Sequence, residues 1–313
     1  MEPGTCEEIS ETMKNSFKGH LAAGGAYAIF GLNIIFCKDI AACGVVSPIV
    51  LFTLRAIGAS ALFWVISLLG PREKVRKQDY LPIAAAALIG LFIPQLTFLG
   101  ACTMTSALDI SILSTLSPIF TMFIAAAVLK EPITLKKAGG VAVSFAGVIL
   151  LILNCVVSDN GVARSNPWGI ALMLLNALSF ASYLGIFRPL ISRYSVITFM
   201  KWMFLFALVI SLPFSARGLF STNYQALSSK VVLEIGFLIV FATFVAYFLI
   251  PIGQKYIRPT LVSLYSYLQP IIAAAIAIAS GMDTLSWQKI LAAFLVVSGV
   301  MAVSRSRALR DDA

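Results

Sequence analysis

The chain contains one long stretch twice: residues 107–151 read ALDISILSTLSPIFTMFIAAAVLKEPITLKKAGGVAVSFAGVILL, and residues 259–303 read PTLVSLYSYLQPIIAAAIAIASGMDTLSWQKILAAFLVVSGVMAV. The copies align without a gap, and about a quarter of the paired positions are identical. Chance similarity between apolar helices would not also match polar and special residues in constant register, as in Ser111 with Ser263, Ser114 with Ser266, Pro118 with Pro270, Lys137 with Lys289 and Gly147 with Gly299. Internal duplication in an apolar chain is typical of secondary transporters.

Composition indicates a membrane protein. Hydrophobic residues make up 59% of the 313 residues and charged residues 12%, whereas soluble domains carry about 25% charged residues. The net charge of +9 would suit nucleic acid binding, but the basic residues lie in short segments between apolar runs, where they set membrane topology. We therefore expect a lipid bilayer as the environment and exclude nucleic acid as a partner.

Residue types that build metal sites and catalytic centres are scarce. The five cysteines form no CxxC pair, and His20 is the single histidine. These counts support neither a metal site nor a disulfide framework, and we expect no cofactor. HExxH and GxSxG motifs are absent as well, and one histidine leaves hydrolytic chemistry without an obvious base. We expect that the chain is not an enzyme.

Ten apolar runs are long enough to cross a bilayer, which takes about 20 residues per helix. They cover roughly 19–37, 46–69, 80–103, 106–129, 134–154, 167–187, 196–216, 231–253, 259–281 and 286–304. Backbone groups in lipid must be satisfied within each segment, so the runs are helices. We predict an all-α integral membrane protein with a first five-helix repeat at 19–155, a linker at 156–166, a second repeat at 167–304, and tails at 1–18 and 305–313. The first tail is either a surface helix or a frayed segment.

The distribution of lysine and arginine predicts the orientation. With the N-terminus in the cytoplasm, sixteen of these residues fall in cytoplasmic segments and five in outer loops, as the positive-inside rule requires. Both termini are then cytoplasmic. Because each repeat has an odd number of helices, the second repeat enters the membrane in the opposite direction. The predicted architecture is two inverted repeats, related by a pseudo-two-fold axis, around a central cavity.

Polar side chains near mid-span are the candidates for that cavity, because polar groups in lipid are costly. Moving 152 positions from Gln95 reaches Tyr247, so these two form a matched pair. The set of candidates is Asn33, Gln95, Ser114, Ser117, Tyr183, Tyr247, Ser266 and Gln269. Helix–helix packing is the alternative for the serines.

Charged residues and prolines inside the runs add further candidates. Arg55 lies near mid-span, where an arginine costs about 2.5–3.5 kcal/mol on insertion scales, so its partner is a solute carboxylate, backbone carbonyls or a neighbouring helix. Asp109 and Glu234 are either proton-coupling carboxylates or solvated interfacial acids. Pro118 and Pro270 are each expected to bend their helix and to free the carbonyl four residues earlier. The two bends are either paired gates or static packing kinks.

Several motifs together carry a family resemblance. They are Ser47-Pro48 with Phe52 and Arg55, Ser106-Ala107 through Pro118, Lys130-Glu131 with Thr134, Gly140 and Gly147, and in the second half Ser263, Gln269-Pro270, Ser286, Lys289 and Gly299. With these motifs the chain resembles the EamA-type ten-helix transporters of the drug/metabolite transporter superfamily. It departs from them at Met282-Asp283, where Gly-Glu is common, and at Phe30, where Trp is frequent.

The resemblance implies a cavity built mainly from the first, third, fourth, sixth, eighth and ninth helices. It also implies export or exchange of small polar metabolites, most commonly amino acids, across the bacterial plasma membrane. We therefore expect a secondary transporter of a small-molecule solute that works by alternating access. The alternatives are a membrane receptor or assembly protein without transport, and a drug- or nucleotide-type metabolite exchanger. The sequence leaves self-association open.

Overall fold

A computed structural model describes residues 3–69, 73–129, 134–157, 166–257, 262, 265–281 and 286–305. All ten predicted apolar runs carry helix within these ranges. We name the helices by run: α1 is Pro3–Cys43, α2 Pro48–Leu69, α3 Lys77–Met104, α4 Ala107–Ser114 with Ser117–Leu129, α5 Leu135–Val157, α6 Pro167–Ile186, α7 Val196–Ser221, α8 Ser229–Tyr256, α9 Leu268–Ala279 and α10 Trp287–Arg305. The predicted surface helix or tail before residue 19 is part of α1.

Length and apolar composition identify seven of the described helices as candidate membrane spans, namely α1, α2, α3, α4, α6, α7 and α8. Shorter apolar helices cover Ala138–Leu150 within α5 and Ile290–Gly299 within α10. The predicted fold class, a helical multi-pass membrane protein, is therefore confirmed. Two acids of the motifs compared above, Glu131 and Asp283, lie outside the described part of the chain.

Residues that the duplication pairs with each other are in direct contact. The Nε2 of Gln95 donates to the hydroxyl of Tyr247 at 2.6 Å, and the Oγ of Ser144 donates to the carbonyl of Val296 at 3.0 Å, each across a separation of 152 positions. A residue that touches its own symmetry mate must lie close to the symmetry axis. The pseudo-two-fold axis therefore passes between α3 and α8 and between α5 and α10.

Helices α5 and α10 pack closely because glycines face the contact. A Cβ at Gly147 would lie 2.8 Å from the carbonyl oxygen of Ala292, and a Cβ at Gly299 would lie 2.4 Å from that of Gly140. Small residues let membrane helices approach to backbone contact, where packing replaces the hydrophobic effect as the source of stability. The glycines that the duplication matches thus hold the two repeats together.

Replacing Gly299 with alanine is expected to destabilise the protein by about 1–3 kcal/mol, the usual cost of overpacking. The new methyl group would meet a backbone oxygen, which cannot rotate away. Thermal unfolding in detergent measures the loss. Gly139 is the matched control, because a Cβ there meets nothing within 4 Å, and its alanine variant should be neutral or stabilised. Equal melting temperatures for both variants would contradict the packing.

Helix α4 is interrupted rather than bent, which corrects the prediction for Pro118. Helix α4 stops at Ser114 and resumes at Ser117, so Pro118 lies in the first turn of the second piece. A helical turn at Tyr265–Tyr267 precedes α9, and Pro270 lies in the first turn of that helix. Proline has no amide hydrogen to give to the residue four positions earlier. In α4 that carbonyl, of Ser114, accepts the Ser117 hydroxyl at 3.2 Å.

Helices α3 and α8 each contain a π-helical segment at matched positions, Leu88–Phe92 and Leu238–Val245. Such segments leave carbonyls outside the regular helix ladder and are frequent at functional sites. The carbonyl of Ile89 accepts the Ser179 hydroxyl at 2.7 Å. The widened segment of α3 therefore lies where this helix meets α6.

Two charged clusters join helix ends from different repeats. The Asp79 cluster contains Asp79, Arg193 and Tyr194: Arg193 pairs with Asp79 at 2.8 Å, and the Tyr194 hydroxyl donates to the same carboxylate. The Asp39 cluster contains Asp39, Lys230 and Glu234: Lys230 pairs with Asp39 and lies 3.6 Å from Glu234. Short connections place the clusters at opposite ends of α2, so they mark opposite faces of the bundle. The duplication relates the two helix-end contacts to each other.

A third contact anchors the segment before α3 on the Asp79 face. Glu73 accepts the Ser195 amide at 3.0 Å and the Ser195 hydroxyl at 2.7 Å. Burial alone would raise the pKa of Glu73, but the hydrogen bonds from Ser195 and Thr198 outweigh it and lower this pKa.

The lowered pKa of Glu73 predicts an acid-sensitive anchor. The contact stabilises the fold fully above the ordinary glutamate pKa of about 4.3, and this contribution is lost as the pH falls through the lower folded-state value. The Glu73→Gln variant should therefore lose less melting temperature than the parent protein on acidification. The Lys74→Gln variant, at an exposed neighbour, should match the parent. Identical acid profiles for the parent and Glu73→Gln would contradict the anchor.

Candidate functional site

A central cavity lies between α1, α3, α4, α6, α8 and α9, the six helices that the resemblance implied. The space between these helices amounts to about 520 Å³ when the part that opens to solvent is included. Its lining consists of Tyr27, Phe30, Asn33, Pro94, Gln95, Phe98, Ser114, Ser117, Asn176, Phe180, Tyr247 and Gln269. The interruption in α4 and the end of the π segment in α3 both lie next to this lining.

Carboxamides from four helices face the cavity: Asn33, Gln95, Asn176 and Gln269. The Nε2 of Gln95 is held by Tyr247, while its Oε1 has no hydrogen-bond partner among the described residues. Asn176 donates to the carbonyl of Pro94 at 2.6 Å. Gln95 is thus fixed in place on the pseudo-two-fold axis, with a buried acceptor that no described residue satisfies.

Hydroxyl and aromatic groups complete the lining. Ser114 donates to the carbonyl of Ile110 at 2.8 Å, and its oxygen keeps its capacity to accept a bond. Phe30 packs edge-on against both Tyr27 and Tyr247, with ring centroids 5.7 Å apart in each pair. One side of the cavity is therefore aromatic and the other offers amide and hydroxyl groups.

None of the described lining residues carries a formal charge. Arg55, the one arginine among the sequence-based candidates, does not line the described cavity. Its Nε donates to Thr243 at 2.7 Å and its Nη1 lies 3.9 Å from the sulfur of Cys37. A solute carboxylate, backbone carbonyls and a neighbouring helix were the three expected partners of Arg55. The structure shows the third, because Thr243 belongs to α8.

The structure brings six of the nine sequence-based binding candidates to the cavity, and leaves Arg55, Tyr183 and Ser266 outside it. Tyr183 fills the space beside Gly90, where a Cβ would lie 2.5 Å from the tyrosine ring. Ser266 is buried in the turn before α9. Asp109 and Glu234 are both buried, so the interpretation of solvated interfacial acids was wrong for both.

Sequence reasoning missed six lining residues, namely Asn176, Pro94 and four aromatic residues. Asn176 lies at mid-span of α6, so the rule that selected Asn33 would have found it. No such signal marks the four aromatic residues, because aromatic side chains of a membrane helix face lipid, neighbouring helices and cavities alike. These residues are Tyr27, Phe30, Phe98 and Phe180.

Comparisons with known proteins agree with this architecture. Residues 17–153 and 167–305 each match a protein family described as the EamA-like transporter family. An uncharacterized transporter of Archaeoglobus fulgidus is 29% identical over 64% of this chain and 68% of its own length. The uncharacterized transporter YcxC of Bacillus subtilis is 26% identical over 87% of this chain and 88% of its own.

Two further similarities bear on location and fold. The uncharacterized inner membrane transporter YedA of Escherichia coli is 27% identical over 54% of this chain and 53% of its own length. A protein of known crystal structure superposes over 94% of this chain and 96% of its own with a TM-score of 0.62 at 18% identity. At that identity the likeness bears on the fold alone.

Proposed function

We propose a specific transport function from one premise: the chain belongs to the EamA-like transporter family. It carries a small neutral or zwitterionic metabolite, an amino acid or a close relative, across the membrane without changing it chemically. Its relatives are transporters by name, and its described helices include seven candidate membrane spans. This proposal makes no use of an enzymatic step.

The uncharged polar lining of the cavity is the observation that carries the proposed substrate class. Phosphate groups are usually held by arginine or lysine, and none lines the described cavity. Amide hydrogens suit a carboxylate, the Oε1 of Gln95 suits an ammonium group, and the aromatic side suits an apolar substituent. This combination favours an amino acid over a nucleotide-type solute.

Alternating access is the proposed mechanism. The cavity surrounds the pseudo-two-fold axis. On each face of the bundle a charged cluster joins a residue of the first repeat to a residue of the second. In inverted repeats, opening at one face has a symmetric counterpart at the other, so the two states are similar in energy. Separation of the Asp79 cluster opens the cavity to one face, and separation of the Asp39 cluster opens it to the other.

The proposed location is the plasma membrane, with both termini in the cytoplasm and net movement outward. The inner membrane location in the name of YedA supports the first part. Arg76, Lys77, Arg193 and Lys255 belong to the Asp79 face, which supports a cytoplasmic assignment for that face. Export follows the expectation from the family resemblance.

Counterflow in reconstituted vesicles tests the proposed function. Vesicles preloaded with a neutral amino acid should take up the same labelled amino acid, and the recovered label should be chemically unchanged. A sugar phosphate and an organic cation serve as comparison solutes and should move at the protein-free rate. Movement of the sugar phosphate, or chemical conversion of the label, would contradict the proposal.

A further inference from the structure

Glu234 is a buried acid whose charge is poorly balanced. It lies one turn after Lys230 in α8, and its side chain is 6% exposed. Its Oε1 is 3.6 Å from the Lys230 ammonium, whereas its Oε2 has no hydrogen-bond partner among the described residues. A buried carboxylate oxygen without a partner is costly, so this position needs an explanation beyond packing.

The surrounding charges do not supply that balance. Asp39, at the end of α1, interacts with Glu234 as well as with Lys230. Two ionised carboxylates facing one ammonium leave a net negative charge in the Asp39 cluster. One proton on Glu234 leaves a neutral acid beside a matched Asp39–Lys230 pair. Taken by themselves, the three residues of the Asp39 cluster are therefore electrically neutral only with a bound proton.

Polar groups continue from Glu234 to the cavity. Cys37 interacts electrostatically with both Glu234 and Arg55, and its thiol is 3.6 Å from the Oδ1 of Asn33, which lines the cavity. The Nη2 of Arg55 is buried without a partner among the described residues. The other polar neighbours on the packed helices are Lys38 of α1 and Cys102 of α3, whose carbonyl accepts the Lys38 ammonium at 2.9 Å.

We propose that Glu234 is a proton-binding site that couples transport to the movement of protons, an inference that rests on the proposed transport function. A proton from water on the Asp39 face binds the carboxylate of Glu234 and closes the Asp39 cluster around the neutral acid. Release of that proton through the cavity to water on the Asp79 face leaves two carboxylates against Lys230. Their mutual repulsion separates the ends of α1 and α8. One proton is bound and one released in each cycle.

Infrared titration of the purified protein tests the site without a solute. The parent protein should show a protonated-carboxyl band that disappears as the pH is raised, because the carboxyl group then loses its proton. The Glu234→Gln variant should lose this band, and Glu234→Asp should keep a titrating band. Asp109→Asn is the matched control, because it changes another buried acid and should leave the band in place. A band that survives in Glu234→Gln, or its absence from the parent, would overturn the proposal.

Transport driven by a pH gradient tests the coupling. One pH unit should concentrate the solute up to about tenfold for one proton per cycle in vesicles with the parent protein or Asp109→Asn. The Glu234→Gln variant should show no accumulation. Accumulation by Glu234→Gln equal to that of the parent would overturn the coupling. If the parent exchanges no amino acid at all, the proposed function fails, and the infrared titration still decides whether Glu234 binds a proton.

Discussion

Replacing Gln95 with leucine is expected to reduce the exchange of neutral amino acids at least about tenfold. The Nε2 of Gln95 donates to the Tyr247 hydroxyl at 2.6 Å, and its buried Oε1 has no partner among the described residues, so we expect a bound solute to satisfy it. Hydrogen bonds to charged groups contribute about 1.5–3 kcal/mol, so losing the bond to a solute ammonium weakens binding by that order. Leucine has a similar volume, so the cavity should keep its shape. Counterflow at several solute concentrations measures the change.

Two further variants locate the origin of that loss. Thr97→Val removes a buried hydroxyl two positions away, which bonds only to carbonyls of its own helix, and should leave exchange within about twofold of the parent. Tyr247→Phe removes the group that holds Gln95 and should give a smaller loss than Gln95→Leu. Full activity of Gln95→Leu, or an equal loss in Thr97→Val, would show that the axis pair does not contact the solute.

Asparagine substitutions at Asp79 and Asp39 are expected to open opposite faces. Asp79→Asn removes the carboxylate that accepts bonds from Arg193 and Tyr194, and Asp39→Asn removes the partner of Lys230. Each loss weakens the closure of one face while the other cluster is intact. A difference of 1–3 kcal/mol between the two states shifts their ratio by about 5- to 150-fold.

Spin-label distances across each face measure this shift. Labels at exposed positions Lys77 and Ser192 report on the Asp79 face, and labels at the native Cys43 and at Ser229 report on the opposite face. Asp79→Asn should lengthen the first distance and leave the second short, and Asp39→Asn should do the reverse. Each variant is the control for the other. Lengthening of both distances in either variant would indicate loosening rather than alternation.

The duplicated sequence predicted the large features of the fold because matching residues recur in the same order in both copies. Ten helices, the pairing of Gln95 with Tyr247 and the six cavity-forming helices all follow from spacing, periodicity or family resemblance. Polar residues at mid-span gave most of the amide and hydroxyl lining, since burying them in lipid is costly. The same reasoning gave Tyr183 and Ser266, which pack elsewhere, because polarity does not tell which way a helix face points.

Other features depend on contacts between distant segments. Asp79 and Arg193 are 114 positions apart, and nothing in either local sequence shows that the start of α3 and the segment between α6 and α7 come together. Pro118 predicts the loss of one backbone hydrogen bond in α4. It does not predict that the Ser117 hydroxyl bonds to the carbonyl of Ser114, which that loss leaves free. Aromatic lining residues are hidden among similar side chains on lipid-facing surfaces. Tertiary placement, rather than residue type, decides these cases.

Accessibility of a cysteine at position 114 tests the central claim, that inverted repeats expose one midplane cavity to each face in turn. The Ser114→Cys variant, with the other cysteines replaced, is labelled in oriented vesicles by a thiol reagent that does not cross membranes. We predict labelling from both faces, faster from the Asp79 face with Asp79→Asn and faster from the opposite face with Asp39→Asn. Protection from both faces under all conditions, or access from the same face in both variants, would contradict the account.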